Sequence, residues 1–197
     1  RFLIRCFAAL FFRFKVEGNE NIPADGPAII TANHVSFLDP PLMGAAARRD
    51  LYFLARESLF KIWGFGWLIS KVHAFPVKPR SLDPSAFKTL FKLLDERKVV
   101  LLFPEGTRSR NGLLQPPQAG VGMIAYRMKV PVIPALIIGA HKVLPRGSKI
   151  IKPAPITIRF GPPVNLAEYF NQEKNKELYK LMTEKIMAEM AKLNPES

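Results

Sequence analysis

The sequence predicts a single α/β domain with a mainly parallel sheet flanked by helices, preceded by an N-terminal amphipathic helix that associates with a membrane. Three observations lead there. Short apolar runs of strand character alternate with longer, helix-like segments, the pattern of βα units on a parallel sheet. Two polar clusters follow directly on two of those runs, and open α/β sheets build their sites at the carboxyl ends of strands. A chain of 197 residues with 48% apolar content fills one core and is short for two independent domains.

Residues 1–16 are the first segment and 17–197 the globular domain. In the first, Phe2, Phe7, Phe11, Phe12 and Phe14 are interleaved with arginines. This suits a helix lying in the plane of a membrane, or the tail of a longer segment truncated upstream of Arg1. An amphipathic helix closing the core is the other reading of the same residues. No stretch reaches the roughly 20 uninterrupted apolar residues of a spanning helix.

Residues 17–27, with Gly18, Pro23, Gly26 and Pro27, are turn material, and a strand follows over 28–32. Asp39 before Pro40 is a helix-start signal, an N-cap with proline in the first turn. Arg48 and Arg49 suit the end of that helix. A strand is expected over 51–55, then a very apolar segment over 59–69 that holds Trp63, Phe65 and Trp67. A short strand over 73–77 precedes a helix opened by Asp83 and Pro84, with Phe87, Leu90, Phe91 and Leu94 on one stripe. The remaining expectations are a strand over 99–103, a turn at Asn111 and Gly112, and a helix over 118–128. A strand over 130–139 interrupted by two prolines, an alternating strand over 156–160 and a polar helix over 173–193 complete the chain.

The charge balance is lopsided, 29 Lys+Arg against 16 Asp+Glu for a net +13, which implies an anionic partner such as a nucleic acid, an anionic lipid or a phosphorylated metabolite. A zinc-finger, RNA-recognition or helix-turn-helix signature is not evident, and the basic residues are dispersed. The single cysteine, Cys6, rules out an internal disulfide and offers no metal-ligand spacing. No metal site is expected.

The first polar cluster is Asn33-His34-Val35-Ser36-Phe37-Leu38-Asp39. Histidine is the natural general base near neutral pH, and an aspartate on its other ring nitrogen fixes the tautomer and steadies the imidazolium. The residues alone leave a second reading open, in which Asp39 only caps the helix and His34 is a satisfied loop histidine. His73 and His141 have no carboxylate at comparable spacing and read as structural or surface residues. A Gly-x-Ser-x-Gly nucleophile elbow is missing, and Ser36 suits the helix entry better than covalent catalysis. The second cluster, about seventy positions on, is Phe103-Pro104-Glu105-Gly106-Thr107-Arg108-Ser109. Gly106 lets the backbone approach a ligand, Thr107 and Arg108 suit phosphate or carboxylate oxygens, and Glu105 suits either Arg108 or a substrate hydroxyl. A Glu/Arg surface turn is the bland alternative. If the two preceding strands lie parallel, both clusters emerge at one edge, a base beside an anion holder.

Taken together, Asn33-His34-x-Ser36-x-x-Asp39 and Phe103-Pro104-Glu105-Gly106-Thr107-Arg108-Ser109 resemble the motifs of the glycerolipid acyltransferase family, most closely its 1-acylglycerol-3-phosphate (lysophosphatidate) acyltransferases. Ala74-Phe75-Pro76-Val77-Lys78-Pro79-Arg80 is similar to the family's basic block, and Val130-Pro131-Val132-Ile133-Pro134-Ala135 to its later proline-containing block. The resemblance implies that residues 17–197 are an acyltransferase domain, with His34 as general base and Asp39 as its partner. It also implies that Glu105, Gly106, Thr107 and Arg108 bind the acceptor's glycerol phosphate. Pro79 stands where the family usually has arginine, which divides the phosphate-binding role between Lys78 and Arg80. Arg80 is preferred, because a guanidinium fork matches phosphate better than an ammonium does.

The expected activity is transfer of a fatty acyl group from an acyl thioester, acyl-CoA or acyl-ACP (acyl-carrier protein) as co-substrate, to the sn-2 hydroxyl of lysophosphatidate, giving phosphatidate. No bound cofactor is implied. Expected partners are membrane lipids, lysophosphatidate and the acyl carrier, and not nucleic acid. The expected place is the cytoplasmic face of the cell membrane, peripheral or monotopic, with Phe2, Phe7, Phe11, Phe12, Phe14, Trp63, Phe65 and Trp67 as membrane contacts. Two alternatives stand beside this. One is the same chemistry on another lysophospholipid or a lyso-amino-acid lipid; the other is a non-catalytic basic membrane- or nucleic-acid-binding module.

Overall fold

Strands buried at every position need cover on both faces, and two such strands form the centre of this sheet. The computed structural model describes residues 8–77, 84–145, 147–148 and 150–195. In chain order the elements are β1 (Lys15–Glu17), β2 (Ala28–Ala32), α1 (Asp39–Ala46), β3 (Leu51–Arg56), α2 (Glu57–Phe60), α3 (Phe65–Lys71) and β4 (Ala74–Val77). Then come α4 (Pro84–Asp95), β5 (Val99–Leu102), α5 (Gly120–Met128), β6 (Val132–Ile138), α6 (Ala140–Val143), β7 (Thr157–Phe160) and α7 (Lys176–Ala191). The seven strands lie in the order β1-β7-β6-β2-β5-β3-β4. All neighbours are parallel except β6 and β7, so the sheet is mainly parallel, as expected.

Alternate residues of the central strands feed two cores. On one face Ala28, Ile30 and Ala32 of β2 and Val99 and Leu101 of β5 pack with Leu42, Met43 and Ala46 of α1. On the other, Ile29, Val100 and Leu102 meet Leu90 and Leu94 of α4, Val121 and Ile124 of α5, and Met182 and Ile186 of α7. Each fully buried Val, Leu, Ile or Met among them contributes about 1.5–3 kcal/mol. Helices α5 and α7 approach closely because Gly122 has no side chain: a Cβ there would stand 1.9 Å from the Tyr179 carbonyl oxygen.

This layering positions the site. β2 and β5 are parallel neighbours, with Ala28 beside Val99 and Thr31 beside Leu102. From β2 the chain runs to β3, beyond β5; from β5 it runs to β6, beyond β2. The two connections leave in opposite directions, which opens a crevice at the carboxyl ends of this strand pair.

Several expectations need correcting. β1 has a single apolar residue, Val16, and was not foreseen; it pairs with β7 at the sheet edge, where Arg159 Nε donates to Glu17 Oε2 at 2.7 Å. The expected boundary at residue 16 therefore falls inside a strand. Helix α1 ends at Ala46, before the two arginines. Residues 8–12 are helical, and the i, i+4 pair Ala8 and Phe12 faces inward. Phe12 is a core residue at 3% exposure, not a membrane contact, and Phe14 is half-buried against the same core. Leu10 and Phe11 on the other side are exposed. Phe2, Phe7, Lys78, Arg80 and the side chain of Phe65 lie outside the described residues. Among the described residues, no helix is long and apolar enough to cross a membrane.

Candidate active site

Asp39 is the first residue of α1, yet its carboxylate does not cap that helix. Oδ2 turns back and accepts from the backbone N–H of Val35 and of Ser36, each at 2.7 Å, and faces His34 Nδ1 at 2.8 Å. The capping interpretation is thus set aside. An ionised carboxylate only accepts, so Nδ1 carries the hydrogen and Nε2 is left with the lone pair. Asp39 is fully buried, and its Oδ1 has no hydrogen-bond partner among the described residues. The three donors on Oδ2 are what hold this charge inside the protein. His34 keeps 19% of its side chain exposed and lies stacked on the Phe103 ring, centroids 4.1 Å apart and planes 20° from parallel. Carboxylate and aromatic face together fix the plane of the imidazole.

The loop carrying this pair is braced from every side. Asn33 Nδ2 donates to the Ile137 carbonyl at 3.0 Å and its Oδ1 accepts from Ile137 N at 2.7 Å, tying the end of β2 to β6. Ser36 Oγ donates to the Leu144 carbonyl at 3.0 Å and accepts from Leu38 N at 3.2 Å. The Ser109 N–H donates to the His34 carbonyl at 2.7 Å. Ser36 is therefore a helix-entry residue, as read from the sequence.

Glu105 does not belong to a surface turn. Only 3% of it is exposed, and its two oxygens accept from the backbone N–H of His34 at 3.0 Å and of Gln115 at 3.2 Å. Through these two bonds Glu105 clamps the histidine loop to the loop after β5. Burial pushes its pKa up to about 7, against the opposing pull of the two N–H donors and with a further push from the Asp39 charge. Between about pH 4.5 and 7 the unfolded chain has already lost this proton while the folded one retains it, so stability falls as pH rises through that window and is flat above it. Urea unfolding at pH 5 and pH 7.5 checks this: Glu105→Gln should be less stable at both, with one clamped N–H facing an amide, and should lose this part of the pH slope.

Gly106 has φ +68°, a left-handed turn that a side chain would strain, and the turn closes with Gly106 N donating to the Phe103 carbonyl at 3.0 Å. Thr107 is exposed and Arg108 half-buried. The Arg108 guanidinium carbon lies 3.4 Å from the centre of the Phe37 ring. Neither Phe37 nor Phe103 was singled out from sequence; each adjoins a motif residue, but no periodicity marks which aromatic faces which polar group. His73 packs against the Tyr52 ring, centroids 4.6 Å apart, and burial lowers the pKa of His141. Both fit structural roles. Among the described residues, no three His, Cys, Asp or Glu gather as a metal-ligand set.

The chain is similar to known proteins along most of its length. It is 32% identical over 171 residues to a 1-acyl-sn-glycerol-3-phosphate acyltransferase of Bacillus subtilis, an alignment covering 86% of this chain and 82% of that one. A chloroplast 1-acyl-sn-glycerol-3-phosphate acyltransferase of Brassica napus is 34% identical over 143 residues, 71% of this chain and 41% of that longer protein. Among solved structures, the 1-acyl-sn-glycerophosphate (LPA) acyltransferase PlsC of Thermotoga maritima superposes with a TM-score of 0.78 at 32% identity, covering 96% of this chain and 75% of that one. The model of the family described as Acyltransferase matches residues 13–138. That span runs from β1 through β6 and carries both loops of the crevice, and the chain belongs to the acyltransferase family.

Proposed function

We propose that this protein is a 1-acylglycerol-3-phosphate O-acyltransferase, transferring a fatty acyl group from acyl-CoA or acyl-ACP to the sn-2 hydroxyl of lysophosphatidate to give phosphatidate. The observation that carries the reading is the His34–Asp39 pair, with Nδ1 held at 2.8 Å and Nε2 left to take a proton. His34 Nε2 removes the proton of the acceptor hydroxyl as its oxygen attacks the thioester carbonyl carbon. The buried Asp39 carboxylate steadies the imidazolium that forms. The tetrahedral intermediate then expels the thiolate, which takes from His34 the proton that came from the hydroxyl, so the dyad ends as it began. Arg108, with Arg80 in preference to Lys78, holds the acceptor phosphate, and Gly106 and Thr107 shape the loop around it. The relatives' names, which specify this acceptor, support the assignment. Turnover measured with lysophosphatidate and with the same lipid lacking its phosphate tests it: the phosphate should lower the acceptor KM strongly, and equal use of both would overturn the assignment.

The same reading places the protein on the cytoplasmic face of the cell membrane. Trp63 is 98% and Trp67 68% exposed, unfavourable for such rings in water and suited to a lipid interface. Phe2, Phe7, Phe11 and Phe65 are assigned to the same contact, and the +13 charge favours anionic headgroups. In flotation with anionic vesicles, Trp63→Ala/Trp67→Ala should weaken binding, and unchanged flotation would remove these rings from the contact.

A further inference from the structure

We propose that Phe37 is a positioning residue for the acceptor, its ring setting the direction in which the Arg108 guanidinium meets the phosphate. The inference rests on the assignment of Arg108 to the acceptor phosphate. Phe37 is 52% exposed and belongs to neither core, so packing does not explain a large aromatic ring at this point. Among the described residues the ring meets Arg108, at 3.4 Å from guanidinium carbon to ring centre. That separation is the contact distance of two π systems lying face on; an N–H pointing into the ring would hold the carbon farther away. A face-on stack uses the flat side of the guanidinium, while its N–H donors lie in the plane and point outward at the edge. The stack thus fixes the plane of the fork without consuming the donors that a phosphate needs.

The ring itself has a fixed base. Its neighbour Ser36 is held by Leu144 and bonds Leu38 N, and Ser36 N donates to Asp39. Phe37 therefore sits on the same rigid turn as His34 and Asp39, which is where a ruler between base and anion holder has to stand. Through it, the distance from phosphate to attacking hydroxyl is set by a single loop.

The test is steady-state kinetics of Phe37→Leu, Phe37→Tyr, Arg108→Ala and the Phe37→Leu/Arg108→Ala double variant, with lysophosphatidate as acceptor. Leucine keeps apolar bulk and has no π face, so Phe37→Leu should raise the acceptor KM about 3- to 10-fold with the thioester KM and the melting temperature unchanged. Phe37→Tyr should restore the wild-type KM, and Phe37→Leu should add nothing once Arg108 is alanine. Wild-type KM in Phe37→Leu, beside a raised KM in Arg108→Ala, would overturn this inference alone. A wild-type KM in Arg108→Ala would overturn the phosphate assignment beneath it. A fall in kcat with no change in KM would reduce Phe37 to a structural part of the loop.

Discussion

His34→Ala is expected to lower turnover by roughly 100- to 10,000-fold, the usual worth of a positioned general base. The loss should appear in kcat with the acceptor KM little altered, since the histidine acts on the hydroxyl proton and the phosphate is held elsewhere. Stability should change far less. The backbone N–H and carbonyl of residue 34 remain bonded to Glu105 and Ser109 in the alanine variant, and Asp39 keeps its two backbone donors. What disappears is one hydrogen bond and a ring stack on Phe103, about 0.5–1.5 kcal/mol for the stack. A chain of this size should lose only a few degrees in Tm. Near-normal turnover would end the proposed mechanism, whatever the melting curve showed.

Asp39 should give the largest combined loss, and two substitutions separate its roles. Asp39→Ala removes the acceptor of Val35 N, Ser36 N and His34 Nδ1 together. A buried donor left unpaired costs about 1–3 kcal/mol, so this variant should lose several kcal/mol and nearly all turnover. Asp39→Asn places a neutral oxygen where Oδ2 stands. The turn should largely hold, but without a negative charge the imidazolium formed during proton transfer is no longer stabilised, and turnover should still fall at least roughly 100-fold. Denaturant unfolding and kcat, measured on both variants, check this: folded and slow for Asn, destabilised and inactive for Ala. An Asn variant with full activity would reduce Asp39 to a loop brace.

The sequence made the frame of the site legible. Ala28-Ile29-Ile30-Thr31-Ala32 and Val99-Val100-Leu101-Leu102 are apolar enough to be central strands, and their adjacency and parallel pairing put the two polar clusters at one edge as expected. β1 was not legible, because Lys15-Val16-Glu17 is held by pairing with β7 rather than by its own apolar pattern. Asp39 was ambiguous for a physical reason: aspartate before proline is a general helix-start signal, and nothing in composition shows that the carboxylate reaches back to its own loop. The burial of Glu105 and its two backbone donors were not legible, because burial in a loop has no period to betray it. Phe12 belongs with the same lesson. Within an apolar run, the helical turn decides which ring meets the core, and residues 8–12 turn Phe12 inward and Phe11 outward.

The central claim is that one acyl group passes directly from thioester to lipid hydroxyl under the control of His34. The most direct measurement follows free thiol and phosphatidate together, from acyl-CoA and from acyl-ACP, with lysophosphatidate present or absent. The account predicts one phosphatidate for each thiol released from at least one of the two donors, negligible release without lysophosphatidate, and loss of both products in His34→Ala. Thiol release at an undiminished rate without the acceptor would make the protein a thioester hydrolase, and release with lysophosphatidate but without phosphatidate would contradict acyl transfer outright.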